Sequence, residues 1–469
     1  MEANGRSSKL AGFFNEMSSQ GRPVVQESPK LDLELYIQNY KGRTRYDRLY
    51  HIGRTSTVLC VEALKAAIAE AKSGNDVGAY RNAVDTLREV APNEPEAKFD
   101  QGWADAREIS NKKETQRLEA QLRGYKNNLV RESVRIGHED LGRHYEAIGA
   151  LQKSMESFAN MRPDAGTSKH LVEVGKHLVR VAMHMRDWPV VIHNVGKVIT
   201  LAPQEFATDM KTSSRYLRAA RAIAQMQAGS FEEAARNVVS IPMSGDRSWN
   251  EQEIASPNDI ASYGAILALA TMERPALRAS VLESSTFRPY LELEPHLRKA
   301  LNFYVNGKYK ACLEILESYR PEYLLDLHLH RHIPDLYRMI RTKCIVQYLI
   351  PYSYISLDSL SQMFGTPGVP IAREICQMIR SGALNARINS IEKQLVLLSP
   401  DPRAVLQREA LDTATWFQKQ SLDRMRTISL KAAGLEARTP RRVVLASGDS
   451  RNVDDGWYSD GRDPMDMAL

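Results

Sequence analysis

Residues 229–239 read GSFEEAARNVV: a turn glycine, a polar residue, the large aromatic Phe231 and, three positions on, the small residue Ala234. The same tight turn followed by a large apolar residue recurs in GALQKSMESF from residue 149, RDWPVVIHNV from 186 and GKYKACLEIL from 307. The large apolar members are Leu151, Trp188, Phe231 and Tyr309, and the sites three further on are Ser154, Val191, Ala234 and Cys312. Each unit follows a segment with helical spacing, so each marks the turn into the second helix of a pair. The anchors lie 37, 43 and 78 residues apart; the last interval is twice 39, and ERPALRASVL from 273 falls inside it as a degenerate unit. A helix–turn–helix period of about 34–44 residues belongs to a solenoid, in which each pair buries its apolar face only against its neighbours. The small residue lets the second helix approach the first, and the aromatic fills the space beside the turn. A bundle without a repeat yields one such match by coincidence, not five in register.

On either side of these turns the chain is helical. CVEALKAAIAEAKSG (60–74) and YLRAARAIAQMQAG (216–229) space apolar or small residues by three and four and end in Gly, the usual helix stop. Leu141-Gly142-x-x-Tyr145 is the core of a tetratricopeptide repeat. Near residue 350 the pattern changes. A helix ends at Pro351, Ser356 caps the short helix LDSLSQMF, and Gly365 stops it. Pro367 and Pro370 lead into IAREICQMIR, which ends at Ser381-Gly382, and ALNARI and QLVLLS then read as a two-stranded hairpin. Three helices and a wing make a winged helix. From Pro402 to Ala433 runs a last helix with Leu411, Ala414, Leu422, Met425 and Ile428 along one stripe, which should pack against another protein.

The expected fold is therefore all-α with a small α+β winged helix. A right-handed, tetratricopeptide-like solenoid covers 30–335, the winged helix 336–400, and a C-terminal assembly helix 401–434. Residues 1–29, rich in Ser, Gly, Asn and Gln, are expected to be a flexible tail. Residues 435–469 are expected to be a disordered acidic tail: over 443–469 six Asp face two Arg. Arg438, Arg441 and Arg442 are weak material for a nuclear-import patch.

With 469 residues and 43% apolar content the chain can build a sizeable core, and global disorder is excluded. Lys plus Arg exceeds Asp plus Glu by 63 to 57, an excess too mild for a dedicated nucleic-acid binder. The cysteines Cys60, Cys312, Cys344 and Cys376 form no C-x-x-C pair, which argues against a disulfide framework or zinc ribbon and for a reducing compartment. No apolar run approaches the roughly 18 residues of a membrane span. A soluble intracellular protein is expected.

Several constellations imitate active sites. Leu327 to His332 holds two overlapping H-x-H pairs, which in the metalloprotease pattern H-x-H-x7-S-x2-D need a Ser and an Asp downstream. Counting from His330 gives Arg338 and Arg341, and from His332 it gives Ile340 and Lys343. Neither register supplies a ligand, and cations oppose zinc. His138-Glu139 is followed by His144 at a spacing of six, which turns the imidazoles off one face. No Walker A loop, G-x-G-x-x-G or G-x-S-x-G is present, and Gly365-Thr366-Pro367-Gly368 is better read as an interhelical turn. No catalytic, cofactor or metal residue emerges. For DNA, helix 370–380 offers only Arg373 and Arg380, with Glu374 beside the first, and the hairpin adds Arg387 and Lys393. That is thin for phosphate contacts, so protein contact is the stronger reading.

A helical-repeat array, a winged helix and a C-terminal helix in this order resemble the PCI-domain proteins, which build the proteasome lid, the COP9 signalosome and a translation initiation factor. LDLELYIQNYKGRTRYDRLYHI (31–52), VEALKAAI (61–68), RESVRIGHEDLGRHY (131–145), SPNDIASYGAILALAT (256–271), LELEPHLRKALNFYVNGKYKACLEIL (291–316) and LYRMIRTKCIVQYLIPY (336–352) are similar to the subunit 1 family of the COP9 signalosome. The likeness spans roughly residues 31–433. The stretch Y-x-G-R-T-R-x-x-R-L (40–49) separates it from the paralogous proteasome-lid subunits. Ile388-Asn389 departs from the family, which tends to carry a hydrophobic residue and Asp there.

The resemblance implies a non-catalytic scaffold in the complex that removes NEDD8 from the cullins of cullin-RING ligases, its zinc isopeptidase centre lying in another subunit. It implies partners among the other PCI subunits, notably subunits 2 and 3, joined through the wing, and a last helix that enters a bundle tying the subunits together. Cytoplasmic and nuclear location follows, without membrane. The interface residues expected are Ile388 and Val396 on the wing and Leu411, Phe417, Leu422, Met425 and Ile428 on the helix. For the wing pair the residues leave open packing within their own domain. A proteasome-lid scaffold and a winged-helix nucleic-acid or translation factor are the alternatives.

Overall fold

The computed structural model describes residues 2–201, 207–243, 254–365, 370–398 and 402–435. The described residues fall into two units, divided at 397/398. The first opens with helices α1 (Glu2–Ser19), α2 (Leu33–Ile37), α3 (Gly42–Thr55), α4 (Cys60–Ser73) and α5 (Val77–Val90). Asp32 and Asp76 cap α2 and α5 by accepting from backbone N–H groups of their first turns. The expected flexible tail over 1–29 is corrected. Leu10, Phe13, Phe14 and Met17 recur at i, i+3, i+4 and i+7, one face of α1, and the last three are buried in a core shared with α5.

The array continues through α6 (Gln101–Asn127), α7 (Arg131–Ala147), α8 (Leu151–Ala159), α9 (Ser168–Met185), α10 (Trp188–Leu201), α11 (Ala207–Gln227), α12 (Phe231–Val239) and α13 (Pro257–Thr271). Then come α14 (Arg274–Leu277), a π-helical turn (278–282), α15 (Arg288–Leu293), α16 (Pro295–Val305), α17 (Tyr309–Leu325) and α18 (Ile333–Leu349). From α6 to α13 each helix packs against the next, the arrangement of a solenoid.

The four repeat turns share one geometry. Gly149, Arg186, Gly229 and Gly307 have φ of 83°, 58°, 82° and 74°. Each donates its N–H to the carbonyl three residues back at 3.0–3.2 Å, and the next residue donates to the carbonyl five back at 2.8–3.0 Å. These are Schellman caps, which stop one helix and start the next two residues later. Leu151, Trp188, Phe231 and Tyr309 are accordingly the first residues of α8, α10, α12 and α17. Ser154, Val191, Ala234 and Cys312 all have no exposed surface. Ser154 Oγ donates to the Gly142 carbonyl at 2.8 Å, and a Cβ on Gly142 would lie 2.7 Å from the Phe158 ring. The unit at 273 lacks this cap: Met272 is extended, Pro275 opens α14, and the π turn follows, with Leu277 and Val281 still buried.

The winged helix adds β1 (Tyr354–Ser356), α19 (Leu357–Phe364), α20 (Ile371–Arg380), β2 (Ala386–Asn389) and β3 (Gln394–Leu397). Its antiparallel sheet has the order β1-β3-β2, one strand more than the expected hairpin. Ser356 caps α19 as expected, accepting from Ser359 N–H at 3.1 Å. At the tip, Asn389 Oδ1 accepts from the N–H groups of Ile391 and Glu392, so this Asn shapes the hairpin turn. Residues 366–369, with the turn expected there, and 436–469, with the acidic tail and Arg438, Arg441 and Arg442, lie outside the described residues. One core runs unbroken from Val179 to Leu395, so repeats and winged helix share it across the expected boundary at 335/336. In the second unit α21 (Pro402–Ala432) is a helix of 31 residues.

Candidate protein-interaction surface

Two of the family-like stretches, 31–52 and 256–271, meet Asp326 in one buried cluster. Arg48 on α3 has no exposed side-chain surface and donates to Asp259 Oδ2 and Asp326 Oδ2, both at 2.8 Å. Asp259 is fixed by a capping box with Ser256 at the start of α13, and Tyr40 OH donates to it at 2.6 Å. Asp326 ends α17 and receives Tyr263 OH at 2.8 Å and the His328 and Leu329 N–H groups at 2.9 and 2.8 Å. Tyr36 completes the shell with a hydrogen bond to Arg48, and Arg48 lies 4.1 Å from the Tyr40 ring centroid. One cation thus serves two carboxylates, and they diverge. Burial drives both upward; the Arg48 charge and its hydrogen bonds hold Asp326 well below the usual range, while Asp259 stays raised. Arg48 itself is sealed off, while Tyr36, Asp259, Tyr263 and Asp326 also border a cleft of about 320 Å³. The cluster's role is to close the segment 31–52 onto α13 and α17.

The imitations of chemistry resolve into packing. Burial lowers His328 to about 3 and also lowers His330 and His332. His330 packs against His51 with centroids 4.3 Å apart and planes tilted by 38°, and His332 lies edge-on to Phe231. His144 Nε2 pairs with Thr115 Oγ1 at 2.9 Å, away from His138. Among the described residues no group of His, Cys, Asp and Glu could hold a metal ion, and no helix is long and apolar enough to cross a membrane. Cys60, Cys312 and Cys344 are buried free thiols and Cys376 is half-buried. On the winged helix, Arg341 of α18 holds Glu374 with two hydrogen bonds, at 2.6 and 3.0 Å, tying α20 to α18. That leaves Arg373 and Arg380 as the exposed cations of α20.

What stands exposed is apolar. On α21, Leu411 is 66%, Phe417 67%, Leu422 41%, Met425 57% and Ile428 65% exposed. They fall on one face, an arc of roughly 140° by helical geometry that exposed Leu406 widens to about 160°. Sequence reading missed Leu406, although its spacing of eleven from Phe417 is a whole number of turns. On the wing, Val396 is exposed and sits in register between Tyr354 and Arg387, with Tyr354 more exposed still. Ile388, one residue along β2, is half-buried and packs against the main core. Among the described residues strand β2 has a free edge, since β3 pairs with it on one side only. The missed member here is Tyr354, whose strand is three residues long and carries no alternating signal of its own.

Comparison with known proteins matches residues 100–280 to the family described as 26S proteasome subunit RPN7, and residues 316–398 to the PCI domain. The chain is 44% identical over 434 residues to "COP9 signalosome complex subunit 1" of Neurospora crassa, covering 92% of this chain and 94% of the relative. It is 42% identical over 437 residues to the protein of that name in Emericella nidulans, covering 90% and 86%. The likeness to the Arabidopsis thaliana protein of that name is 30% over 447 residues, covering 94% and 99%.

Proposed function

The chain belongs to the COP9 signalosome subunit 1 family of PCI-domain proteins, and from that premise we propose that it is a non-catalytic scaffold of the complex that removes NEDD8 from cullins. Its winged helix joins the neighbouring PCI subunits, 2 and 3, along the free edge of β2 and the Tyr354–Val396 face. Its last helix enters a bundle with the other subunits through Leu411, Phe417, Leu422, Met425 and Ile428. Ile388 steadies the wing from inside. The zinc isopeptidase centre belongs to another subunit, cullin-RING ligases are the substrates of the whole complex, and the complex works in cytoplasm and nucleus.

The observation that carries this reading is the apolar face of α21. Burying five large apolar side chains contributes about 1.5–3 kcal/mol each before association costs are subtracted. A face of that size left in water is a liability for a protein that works alone. The double variant Leu422→Glu, Met425→Glu should retain its helix content by circular dichroism and lose its companions in affinity purification from native extract. NEDD8 removal from a cullin should disappear from the eluate with them. Companions recovered at wild-type levels would end the bundle role, and recovery of proteasome-lid subunits instead would move the chain to the paralogous complex.

A further inference from the structure

We propose that the cleft walled by α3, by the turn before α10 and by the residues following α1 binds a small anion bearing several phosphate groups. The cleft encloses about 650 Å³ and lies wholly within the first unit. Four guanidinium groups line it, those of Arg22, Arg43, Arg54 and Arg186, against two carboxylates, Asp47 and Asp76. Arg43 is committed to Asp76 at 3.1 Å. Among the described residues Arg22 and Arg54 donate to the Met17 sulfur alone, at 3.5 and 3.8 Å, and a thioether is a weak acceptor; Arg54 also lies 5.4 Å from the Tyr50 ring centroid. The Arg186 side chain makes no hydrogen bond or ion pair among the described residues, and the carboxylate that feels its charge is Asp47 of the same cleft.

The conformation of Arg186 is the second observation. Of the four repeat turns, three place Gly at the left-handed position, and this one places Arg at φ 58°. Left-handed backbone is unfavourable for a residue with a Cβ, and nothing in the Schellman cap itself needs a side chain. The strain is retained where the side chain faces the cleft, which is how strained residues at binding sites are distributed. On the wall, His51 Nε2 is buried without a partner and supplies a further polar atom.

Three guanidinium groups outside any salt bridge among the described residues, in one cleft, fit a compact ligand with several negative charges. A carboxylate would satisfy one of them, whereas phosphate groups offer the bidentate oxygen pairs that guanidinium binds best. The volume lies within the range of small-ligand sites.

The test is calorimetric titration of the full chain with inorganic triphosphate, against sodium sulfate and sodium chloride at matched ionic strength. Saturable binding of one triphosphate per chain is expected, beyond either salt control. Arg186→Gly and Arg54→Gln should each weaken it by roughly tenfold or more. Gly is the residue best suited to the left-handed turn, so loss of affinity in Arg186→Gly cannot be ascribed to a broken turn, and unchanged circular dichroism would document that. Arg338→Gln, an exposed arginine paired with Asp335 outside the cleft, should bind as the wild type does. The proposal is overturned if triphosphate does no more than the salts, if both cleft variants bind unchanged, or if Arg338→Gln weakens binding as much as they do.

Discussion

Arg48 has no water to solvate it, so its charge has to be met by groups brought from elsewhere in the chain. It is met by Asp259 and Asp326, 211 and 278 positions away. Removing the cation leaves two buried carboxylates facing each other without compensation, the circumstance in which breaking a buried pair costs about 3–5 kcal/mol. Arg48→Met should therefore lower the free energy of unfolding in urea by that amount. Adding Asp326→Asn to it should restore part of the loss, because the second change removes a stranded charge. A cost below about 1 kcal/mol for Arg48→Met would show that water reaches the carboxylates and that the cluster does not close the N-terminal segment onto α13 and α17. None of this pairing could be read from one sequence. The Arg, the capping-box Asp and the Asp ending α17 look like ordinary surface residues until the fold brings them together. The likeness of 31–52 and 256–271 to a family marked Arg48 and Asp259 without giving any geometry, and nothing marked Asp326.

At the scale of elements, the legible parts are those with local causes. The four repeat turns could be placed to the residue, because a left-handed stop, a large first residue and a small fourth one are all imposed within a few positions of each other. The same locality makes them testable. Gly307→Val puts a β-branched side chain at φ 74° and should cost about 1–2 kcal/mol, while Arg186→Gly, at a turn of the same geometry, should cost nothing and could stabilise slightly. Equal losses from both in urea titrations would mean that the turn residues act through side-chain contacts and not through backbone. Helix α1 was missed for a different reason. Its Ser, Gly and Asn content suggested a loose tail, but Leu10, Phe13, Phe14 and Met17 already carried the spacing of a helix with one buried face. Composition was weighed above period, and period decided. Strand β1 had no such signal. Three residues cannot show an alternation, and Tyr354 to Ser356 is a strand only because β3 offers it an edge. On α21 the apolar face was legible from spacing alone, yet which wing residue points outward was not: Ile388 and Val396 are equally apolar, and the register of β2 and β3 turns one toward the core and the other away.

For the folded chain as a whole, the buried histidines set the response to acid. Burial holds His51, His184 and His328 down at about 3 and His177 and His296 at about 4, with neighbouring cations adding to the effect. The ordinary value is about 6.5, so between that pH and the native values the unfolded chain binds protons that the native chain refuses. Stability from these five groups is complete above pH 6.5 and is lost as the pH falls, each contributing a slope of at most about 1.4 kcal/mol per pH unit. Asp47, Asp259, Glu294 and Glu322 act in the opposite sense, since burial raises them and the native state keeps their protons longer. Their unfolded values lie near 4, so their influence grows toward the acid end and softens the slope there. The net expectation is a urea midpoint that falls between pH 7 and pH 5. His184→Gln removes one titrating group on α9 and should flatten that fall by up to about 1.4 kcal/mol per pH unit. A midpoint independent of pH over this range, or one unaltered in slope by His184→Gln, would mean that these imidazoles are protonated in the native array and that water enters between its helices.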